Sequence, residues 1–551
     1  MNEIKTSCAS TDRKWSTWES IDWNKCEIAV NKLQARIVKA QKAGKHGKVK
    51  SLQWVLTHSF YAKALAVKRV TSNSGSDTAG VDKVKWSTPN ARFKAIGELK
   101  RRGYKPQPLK RVNIKKSNGK LRPLGIPTMK DRAMQALYLL ALEPVSETTA
   151  DSNSYGFRKE RSTGDAREQC FCVLAKKTSP EWIMEGDIKG CFDHISHEWL
   201  LNNIPMDKVM LRKWLKCGFV FNKELFPTEE GTPQGGIISP TLANMTLDGL
   251  QTMLAEKYHK KFVNRKTTYY PKVHLVRYAD DFIITGRSKE ALEEIKPLVV
   301  DFLKERGLTL SEEKTKITHI DDGFDFLGYN IRKYKGVLLI KPSKKSLKKF
   351  MQKIRGIIDS NKGSKQESLI RLLNLVITGW VNYYKNCVAS DTFRKADYLI
   401  FEKLWQWAKR RHPKKGKYWI ADRYFTRVKN RNWCFVANFK KGKTDDRIAL
   451  KRLYDTKITR YVKIKGEANP FDPEWTEYFE KRKTYKMLQS LNGRKSLLYM
   501  WERQNHLCPV CGKPIDKEHP WGTSQQIVNG KKVNFLLHDS CRRKVIQTNK
   551  M

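Results

Sequence analysis

Residues 275–285 read LVRYADDFIIT, an apolar strand pattern with Asp280 and Asp281 side by side at its centre. Aspartate is a poor strand former, and two adjacent carboxylates repel each other. Divalent cations between the two side chains would relieve that repulsion, and a tight turn between buried strands would hold such ions rigidly. A solvated hairpin turn is the alternative interpretation, but the flanking segments VHLVRY and FIITG are too apolar for a turn that is merely exposed.

A metal site of this kind needs a third carboxylate. The segment EGDIKGCFD (185–193) offers Asp187 at the end of another apolar strand. Two metal ions about 3.5–4 Å apart, bridged by carboxylates, can activate a 3′-hydroxyl and stabilise a leaving pyrophosphate. The three aspartates therefore indicate a nucleotidyl-transfer site that holds two Mg²⁺ ions.

The charge balance of the chain indicates a polyanionic partner. The 551 residues include 108 lysines and arginines against 56 acids, a net charge of +52. Such an excess favours nucleic acid first and a membrane surface second. No apolar run approaches the roughly 20 residues of a spanning helix, and the N-terminus lacks a signal core. We therefore expect a soluble, intracellular protein without a membrane partner.

The spacing of apolar residues predicts an α+β fold followed by a helical region. Residues 24–70 are predicted to be helical, and residues 106–128 to form a β-hairpin with its turn at Asn118-Gly119. A helix from Asp131 is predicted to end near Pro144, and Ser239-Pro240 to provide the N-cap and first residue of a later helix. The other predicted strands are 181–188, 272–285 and 314–320, and the other predicted helices are 197–204, 240–261, 288–307, 344–358, 367–380 and 391–413.

Tyr278-Ala279-Asp280-Asp281 resembles the YADD signature of reverse transcriptases, and further segments of that family are present in the expected order. These are DIKGCFD (187–193), GTPQGGIISPTLAN (231–244), GLTLSEEKTKI (307–317) and FDFLGYNI (324–331), with a basic hairpin upstream at 116–122. The resemblance implies the right-hand polymerase architecture of fingers, palm and thumb. It also implies RNA-directed DNA synthesis from dNTPs with two Mg²⁺ ions.

The resemblance also assigns roles to residues of these segments. Asp187, Asp280 and Asp281 are implied to be catalytic Mg²⁺ ligands, together with the Ile188 carbonyl. The implied nucleotide-binding residues are Lys116 and Arg122 on the triphosphate, Phe192 against a 2′-hydroxyl, Gln234 and Gly235 under the incoming nucleotide, and Lys314 as an acid for the pyrophosphate. Two departures from the family pattern are visible, since Lys115 replaces a proline and Lys159-Glu160 replaces Pro-Gly.

SYGFR (154–158), RPLGIPTMKDR (122–132) and GTPQGGIISPTLAN together resemble the group II intron-encoded proteins of bacteria, and the resemblance covers nearly the whole chain. ITGWVNYY (377–384) and WAKRRHPKK (407–415) resemble the maturase thumb, called domain X. The implied domains are a helical N-terminal extension of the fingers (1–90), reverse transcriptase fingers and palm (91–340), the thumb (341–415), a small basic DNA-binding region (416–500) and a degenerate HNH-like zinc module (501–551).

The same resemblance implies partners and a location. The protein is expected to bind its group II intron RNA, assist its splicing and copy it into target DNA during retrohoming. It would do so as a nucleoid-associated ribonucleoprotein in the bacterial cytoplasm, and a homodimer is left open. Trp380, Tyr383 and Tyr384 of the thumb are interpreted as core packing rather than as RNA contacts.

Two other functions are compatible with parts of the chain. One is a splicing cofactor that binds RNA but no longer polymerises, and the other is a domesticated bacterial reverse transcriptase. A pure RNA-binding protein has no need of three clustered carboxylates, because they would repel phosphates. The thumb segments and the C-terminal cysteines argue against the domesticated enzyme.

The C-terminal tail contains four residues with metal-ligand spacing. Cys508 and Cys511 form a CxxC pair and His538 and Cys541 an HxxC pair, with 26 residues between the pairs. Four nitrogen and sulfur ligands predict a closed, tetrahedral structural zinc site. The tail resembles an HNH endonuclease, but the double histidine of that module is missing and Arg542 replaces its last metal-binding histidine. Because arginine neither binds Mg²⁺ nor accepts a proton at neutral pH, we expect no nuclease activity.

Overall fold

The computed structural model describes residues 15–115, 119, 121–263, 266–428, 430–441, 444–491, 493–528 and 531–548. The chain divides into two compact units, Met1–Glu467 and Ala468–Met551. Within the described residues, no helix combines the length and the apolar composition needed to cross a membrane. Mixed helices and sheets confirm the α+β class.

Helices and strands alternate through most of the first unit. Its helices are α1 (Trp23–Lys42), α2 (His46–His58), α3 (Phe60–Thr71), α4 (Pro89–Glu98), α5 (Met129–Thr149), α6 (Thr163–Leu174), α7 (Cys191–His194), α8 (His197–Asn203), α9 (Lys208–Leu215), α10 (Ser239–Leu247), α11 (Leu250–Lys257), α12 (Lys289–Lys304), α13 (Lys344–Ser360), α14 (Gln366–Tyr384), α15 (Ser390–Arg411) and α16 (Lys417–Tyr424). Its strands are β1 (Leu109–Lys115), β2 (Leu121–Ile126), β3 (Trp182–Asp187), β4 (Phe219–Phe221), β5 (Glu224–Phe226), β6 (Lys261–Val263), β7 (Lys266–Tyr269), β8 (His274–Tyr278), β9 (Asp281–Gly286), β10 (Lys316–His319), β11 (Phe324–Phe326), β12 (Tyr329–Tyr334), β13 (Val337–Pro342), β14 (Phe425–Val428), β15 (Arg431–Lys441) and β16 (Thr444–Ala449).

Helices α1, α2 and α3 pack around α5, which is buried along most of its length. The prediction that this helix ends near Pro144 is wrong, because α5 continues beyond it. A proline inside a helix removes the N–H that would bind the carbonyl four residues earlier. Gln34 Nε2 donates to that carbonyl, of Leu140, at 2.8 Å, and Gln53 Nε2 donates to the Ala141 carbonyl at 3.2 Å. Gln34 thus replaces the lost donor, and Gln53 donates to the next carbonyl of α5.

Two four-stranded sheets contain most of the residues singled out above. One has the order β2-β1-β4-β5, and its antiparallel pair β1 and β2 confirms the predicted hairpin. Asn118, in the predicted turn, lies outside the described residues. The other sheet has the order β10-β3-β9-β8 and is antiparallel throughout. Its apolar side chains join the main core, which includes Met184, Phe282, Ile284 and Leu292.

The helix predicted over residues 240–261 is two helices in the structure. Asp248 and Gly249 separate α10 from α11, and Gly249 has a φ of 98°, a conformation that only glycine adopts readily. The break places Asp248 in an ion pair with buried Arg277. Ser239 is the first residue of α10 rather than its N-cap, a position that Ile238 takes.

Helix α13 packs against α14 and α15, and these helices confirm the three predicted after residue 342. Trp380 stacks on Phe350 with ring centroids 4.4 Å apart, and Tyr383 stacks on Tyr329 at 5.3 Å. Tyr384 is buried. Trp380 and Tyr384 therefore pack inside this region, as predicted, whereas Tyr383 stacks on Tyr329 but stays 37% exposed, so core packing describes it only in part. We call α13, α14 and α15 the three-helix region.

Residues 416–449 form α16 and the sheet β14-β15-β16, for which the sequence analysis predicted no elements. The chain then runs back without helices or strands over residues 450–467, which we call the return segment. Asn386, just after α14, donates through Nδ2 to the Thr459 carbonyl at 2.8 Å. The Tyr461 hydroxyl and the Ile464 N–H donate to the Asp165 carboxylate of α6 at 2.9 and 2.8 Å. The return segment therefore connects the three-helix region to α6.

The second unit contains a short 3₁₀ helix (Pro473–Trp475), α17 (Thr476–Leu491), α18 (Lys495–Arg503), β17 (Trp521–Val528), β18 (Lys531–His538) and α19 (Asp539–Thr548). Strands β17 and β18 pair antiparallel, with Trp521 opposite His538. Met487 of α17 and Trp501 of α18 share one apolar core with the C-terminal cysteines. Part of the region assigned to DNA binding therefore packs with the cysteine-containing tail.

Candidate active site

In the sheet β10-β3-β9-β8, the three aspartates lie at the same end of the strands. In the pairing of β3 with β9, Asp187 lies directly opposite Asp281. Asp280 lies in the turn between β8 and β9, next to the Tyr278–Asp281 pair that closes this hairpin. Opposed residues in antiparallel strands have Cβ atoms about 4.5–5.5 Å apart, so the side chains of Asp187 and Asp281 are direct neighbours.

The surroundings of Asp280 and Asp281 raise the pKa of both carboxyl groups. Burial raises the pKa of Asp280, and the Asp187 carboxylate raises it further, whereas Arg122 and Lys314 act in the opposite direction. Burial also raises the pKa of Asp281 to about 6, with contributions from Asp280 and Asp187. Partly buried carboxylates that repel one another are stabilised by bound cations. An all-oxygen donor set of this kind fits Mg²⁺.

Lys314 lies beside the aspartates, in the loop before β10. Its Nζ is 2.6 Å from Asp187 Oδ2, and this hydrogen bond raises the pKa of Lys314. The ammonium group is therefore protonated at neutral pH while most of the side chain stays exposed to solvent. A charged lysine at the rim of the carboxylate site has the protonation state that a general acid requires.

Ile188, whose carbonyl was predicted to bind metal, follows Asp187 and forms an isolated antiparallel bridge with Leu310. The hydrogen bonds of this bridge join Lys189 N–H to the Thr309 carbonyl at 2.9 Å and Ser311 N–H to the Asp187 carbonyl at 2.8 Å. Neither bond uses the Ile188 carbonyl. The bridge fixes the backbone on both sides of that carbonyl.

The aspartate turn is supported by Arg277, a residue not predicted from the sequence. Arg277, in β8, is completely buried and pairs with the Asp248 carboxylate. Its guanidinium also donates to Asn244 Oδ1 at 3.3 Å and to the Ala279 carbonyl at 3.4 Å. Burial raises the pKa of Asp248 to about 7, and the Arg277 charge opposes that shift. The available signal was an arginine inside an apolar strand, because a buried charge needs a partner.

The SYGFR segment packs against the other side of the aspartate turn. A Cβ on Gly156 would lie 2.3 Å from the Ala279 nitrogen, so no side chain fits there. The Tyr155 N–H donates to the Arg277 carbonyl at 3.0 Å, which joins the segment to β8. Glu160, one of the two residues noted above as a departure from a Pro-Gly pattern, has a φ of 61°. This replacement therefore keeps a backbone conformation that is uncommon for residues other than glycine.

Besides Lys314, the described residues predicted to bind the nucleotide lie on the hairpin, in the loop before α10 and in α7. Lys116 lies outside the described residues. Arg122, on β2, is exposed and donates through Nε to Gln234 Oε1 at 2.7 Å. Gly235 has a φ of 124°, and a Cβ there would lie 2.5 Å from the Gly125 carbonyl of β2. Phe192 is half-buried, and its carbonyl accepts the N–H of Thr232 at 2.6 Å.

The four predicted zinc ligands come together in the second unit. One ligand atom from each of Cys508, Cys511, His538 and Cys541 lies within 4.8 Å of the others. His538 Nε2 donates to the Pro514 carbonyl at 3.1 Å, while His538 Nδ1 lies 3.4 Å from Cys511 Sγ. The Pro514 bond leaves Nδ1 as the nitrogen able to bind a metal. Three thiols and one imidazole at this separation fit a tetrahedral zinc ion.

The residues compared above with the HNH pattern lie in the second unit. Asn534, which matches the middle residue of the HNH pattern, lies opposite Gln525 in the β17–β18 pair. His519 Nδ1 is 2.9 Å from Asp516 Oδ1. Arg542 Nη1 donates to Asp539 Oδ1 at 3.3 Å. Neither glutamine nor arginine can accept a proton from water at neutral pH.

Comparisons with known proteins agree with this site. Residues 114–331 match the family described as reverse transcriptase (RNA-dependent DNA polymerase). Residues 18–99 match the N-terminal domain of reverse transcriptase, and residues 347–425 match the group II intron maturase-specific domain.

Two relatives extend the comparison. Protein YkfC of Escherichia coli strain K12 is 35% identical over 305 residues, which cover 49% of this chain and 79% of YkfC. The group II intron-encoded protein LtrA of Lactococcus lactis subsp. cremoris is 34% identical over 334 residues, covering 49% of this chain and 54% of LtrA. The chain therefore spans about half the length of LtrA. It belongs to the family of group II intron-encoded reverse transcriptases with a maturase domain.

Proposed function

We propose that this protein copies its group II intron RNA into DNA at the site formed by Asp187, Asp280 and Asp281, and that it also assists splicing of that RNA. The observation that carries the proposal is the pairing of Asp187 with Asp281 beside Asp280. Residues 91–340 would form the fingers and palm and residues 341–415 the thumb. In retrohoming, both activities would be used to insert the intron into target DNA. Target DNA and dNTPs would then be further partners.

Each of the site residues would have a separate role in nucleotide addition. Asp187, Asp280, Asp281 and the Ile188 carbonyl would hold two Mg²⁺ ions, which when bound activate the primer 3′-hydroxyl and neutralise the leaving pyrophosphate. Arg122, with its planar fork of donors, would bind phosphate oxygens of the incoming nucleotide. Phe192 would exclude a 2′-hydroxyl by occupying its space. Lys314 would give a proton to the pyrophosphate.

Primer extension and splicing assays on the purified protein test the proposal. We expect extension of a DNA primer on an RNA template with dNTPs and Mg²⁺, and accelerated splicing of the host intron in the same preparation. Accelerated splicing without primer extension would favour the splicing cofactor. Extension without any effect on the intron would favour the domesticated reverse transcriptase.

We also propose that Cys508, Cys511, His538 and Cys541 bind one structural zinc ion. The purified protein is expected to contain about one zinc per chain, because four such ligands complete a closed site. Cys511→Ser should remove the metal and lower the unfolding temperature of the second unit, since metal binding contributes to its folding. Metal analysis and thermal unfolding measure both effects. Cys434→Ser, a cysteine outside the cluster, should change neither quantity, and free titration of the three thiols of Cys508, Cys511 and Cys541 in the untreated protein would contradict the zinc site.

The second unit is proposed to lack nuclease activity. We expect no Mg²⁺-dependent nicking of supercoiled plasmid by the purified protein, because the expected histidine base and metal ligand are absent from the tail. An HNH enzyme with an intact histidine pair serves as the positive control. Robust nicking that is lost in Cys508→Ser would show that the module cuts DNA by another set of residues.

A further inference from the structure

Gln234 joins the palm helix α7 to the basic hairpin through its side chain. Its Nε2 donates to both carboxylate oxygens of Asp193, at 2.9 Å to Oδ1 and 2.8 Å to Oδ2. Its Oε1 accepts the Arg122 Nε–H at 2.7 Å. The Gln234 backbone carbonyl also accepts the N–H of Gly125 in β2 at 2.9 Å. The hairpin is thus attached to α7 through one side chain.

The orientation of the Gln234 amide follows from the chemistry of its two partners. An ionised carboxylate only accepts hydrogen bonds, and a guanidinium only donates them. The amide nitrogen must therefore face Asp193 and the amide oxygen must face Arg122. In a flipped amide, the Gln234 oxygen would face the Asp193 carboxylate, and the Gln234 NH₂ group would face the Arg122 guanidinium. Both contacts would be repulsive. Asp193 thereby determines which end of the amide Arg122 meets.

This arrangement leaves the phosphate-binding part of Arg122 available. The bond to Gln234 uses the Nε–H, so the N–H groups of the two Nη atoms can form a fork toward phosphate oxygens. The Arg122 charge already acts on Asp280, which places it near the carboxylate site. The side chain is exposed, so without the Gln234 bond it would sample many rotamers.

We propose that Asp193 is a positioning residue for nucleotide binding, which orients the Gln234 amide so that its oxygen holds Arg122 toward the incoming triphosphate. This inference rests on the polymerase function proposed above and on the assignment of Arg122 to the triphosphate. Asp193 itself does not touch the nucleotide. Its effect is specific to one step, because it acts on the binding of dNTP and not on the chemistry at the three aspartates.

Asp193→Asn tests the inference, with dTTP incorporation on a poly(rA)–oligo(dT) substrate. Asparagine replaces one of the two oxygens that accept from Gln234 Nε2 with an NH₂ group, so it can pair with either end of the Gln234 amide and no longer fixes the oxygen toward Arg122. We expect the KM for dTTP to rise about tenfold, the loss of roughly one charge-assisted hydrogen bond. The kcat at saturating dTTP should stay within about threefold of the wild type. A fall in kcat without a change in KM would overturn the inference.

A second variant separates orientation from general damage. In Asp193→Asn combined with Gln234→Glu, the asparagine NH₂ donates to the new carboxylate, which in turn accepts from Arg122. This exchange restores the fixed acceptor and keeps the net charge, so the KM should return to within about threefold of the wild type. Gln234→Glu alone sets two carboxylates together and should raise the KM. A double variant no better than Asp193→Asn would overturn the inference.

Two further variants complete the experiment. Glu230→Gln removes one negative charge beside His194, which Glu230 contacts at 2.7 Å, and leaves the partners of Gln234 unchanged. Its KM should be unchanged, so a rise equal to that of Asp193→Asn would assign the effect to charge alone and overturn the inference. Arg122→Ala should raise the KM at least as much as Asp193→Asn. An unchanged KM for dTTP in Arg122→Ala would contradict the proposed role of Arg122. A raised KM in Arg122→Ala together with an unchanged KM in Asp193→Asn would contradict only the inference about Asp193.

Discussion

Asp280→Asn is expected to reduce DNA synthesis at least about a thousandfold, which corresponds to about 4 kcal/mol of activation free energy. Asparagine keeps the shape of the side chain but removes one of the charges that would hold Mg²⁺. Splicing of the intron and binding of its RNA should stay within about twofold of the wild type, because neither needs this carboxylate. Primer extension and intron splicing on the same preparation measure the two activities.

The chain provides a matched control for this substitution. Asp321 and Asp322 form a second Asp-Asp pair, exposed in the turn between β10 and β11. Asp322→Asn makes the same chemical change in a solvated turn and should leave DNA synthesis unaffected. Asp280→Asn should not lower the free energy of unfolding, because it removes one of three repelling charges. Substantial extension by Asp280→Asn would refute the two-metal assignment, and equal loss of splicing and extension would indicate a damaged fold.

Arg277→Met is expected to lower the free energy of unfolding of the first unit by roughly 3–5 kcal/mol. Arg277 is completely buried, and the substitution leaves the Asp248 carboxylate without its charged partner inside the protein. The Ala279 carbonyl also loses a donor, so the turn that carries Asp280 should become less ordered. Urea unfolding followed by tryptophan fluorescence measures the stability, and primer extension reports on the turn.

Two comparisons make this prediction specific. Arg287→Met changes an exposed arginine at the end of the same hairpin and should cost less than about 0.5 kcal/mol. Arg277→Met combined with Asp248→Leu removes both charges and should be more stable than Arg277→Met alone, since an apolar pair often replaces a buried ion pair without loss. A double variant less stable than Arg277→Met would mean that Asp248 is held by other partners.

The sequence predicted the elements that carry the carboxylate site, because strand alternation and acidic residues at strand ends are local signals. The pairing of Asp187 with Asp281 confirms that two distant segments meet as neighbouring strands. The sequence could not predict that α5 passes through Pro144, because the donor that replaces the missing N–H comes from Gln34 on α1.

Other features depended on partners far away in the sequence. The break after α10 follows from Gly249 and from the ion pair of Asp248 with Arg277, which joins α10 to β8. The sheet β14-β15-β16 was not predicted because its residues mix aromatic and basic side chains without a clean alternation. The role of Asp193 was also not visible, because neither Gln234 nor Arg122 is near it in sequence.

The return segment has a consequence for experiments that shorten the chain. Asp165 accepts hydrogen bonds from Tyr461 and Ile464, and Asn386 donates to Thr459, so residues 450–467 supply partners for polar groups of the polymerase body. A protein that ends at Ala449 would expose the Asp165 carboxylate to solvent. Helix α6 and the end of α14 would also lose their hydrogen bonds to the return segment. Loss of activity in such a truncated protein would then result from a destabilised first unit. Only variants that keep the chain through Glu467 can show what the second unit itself contributes.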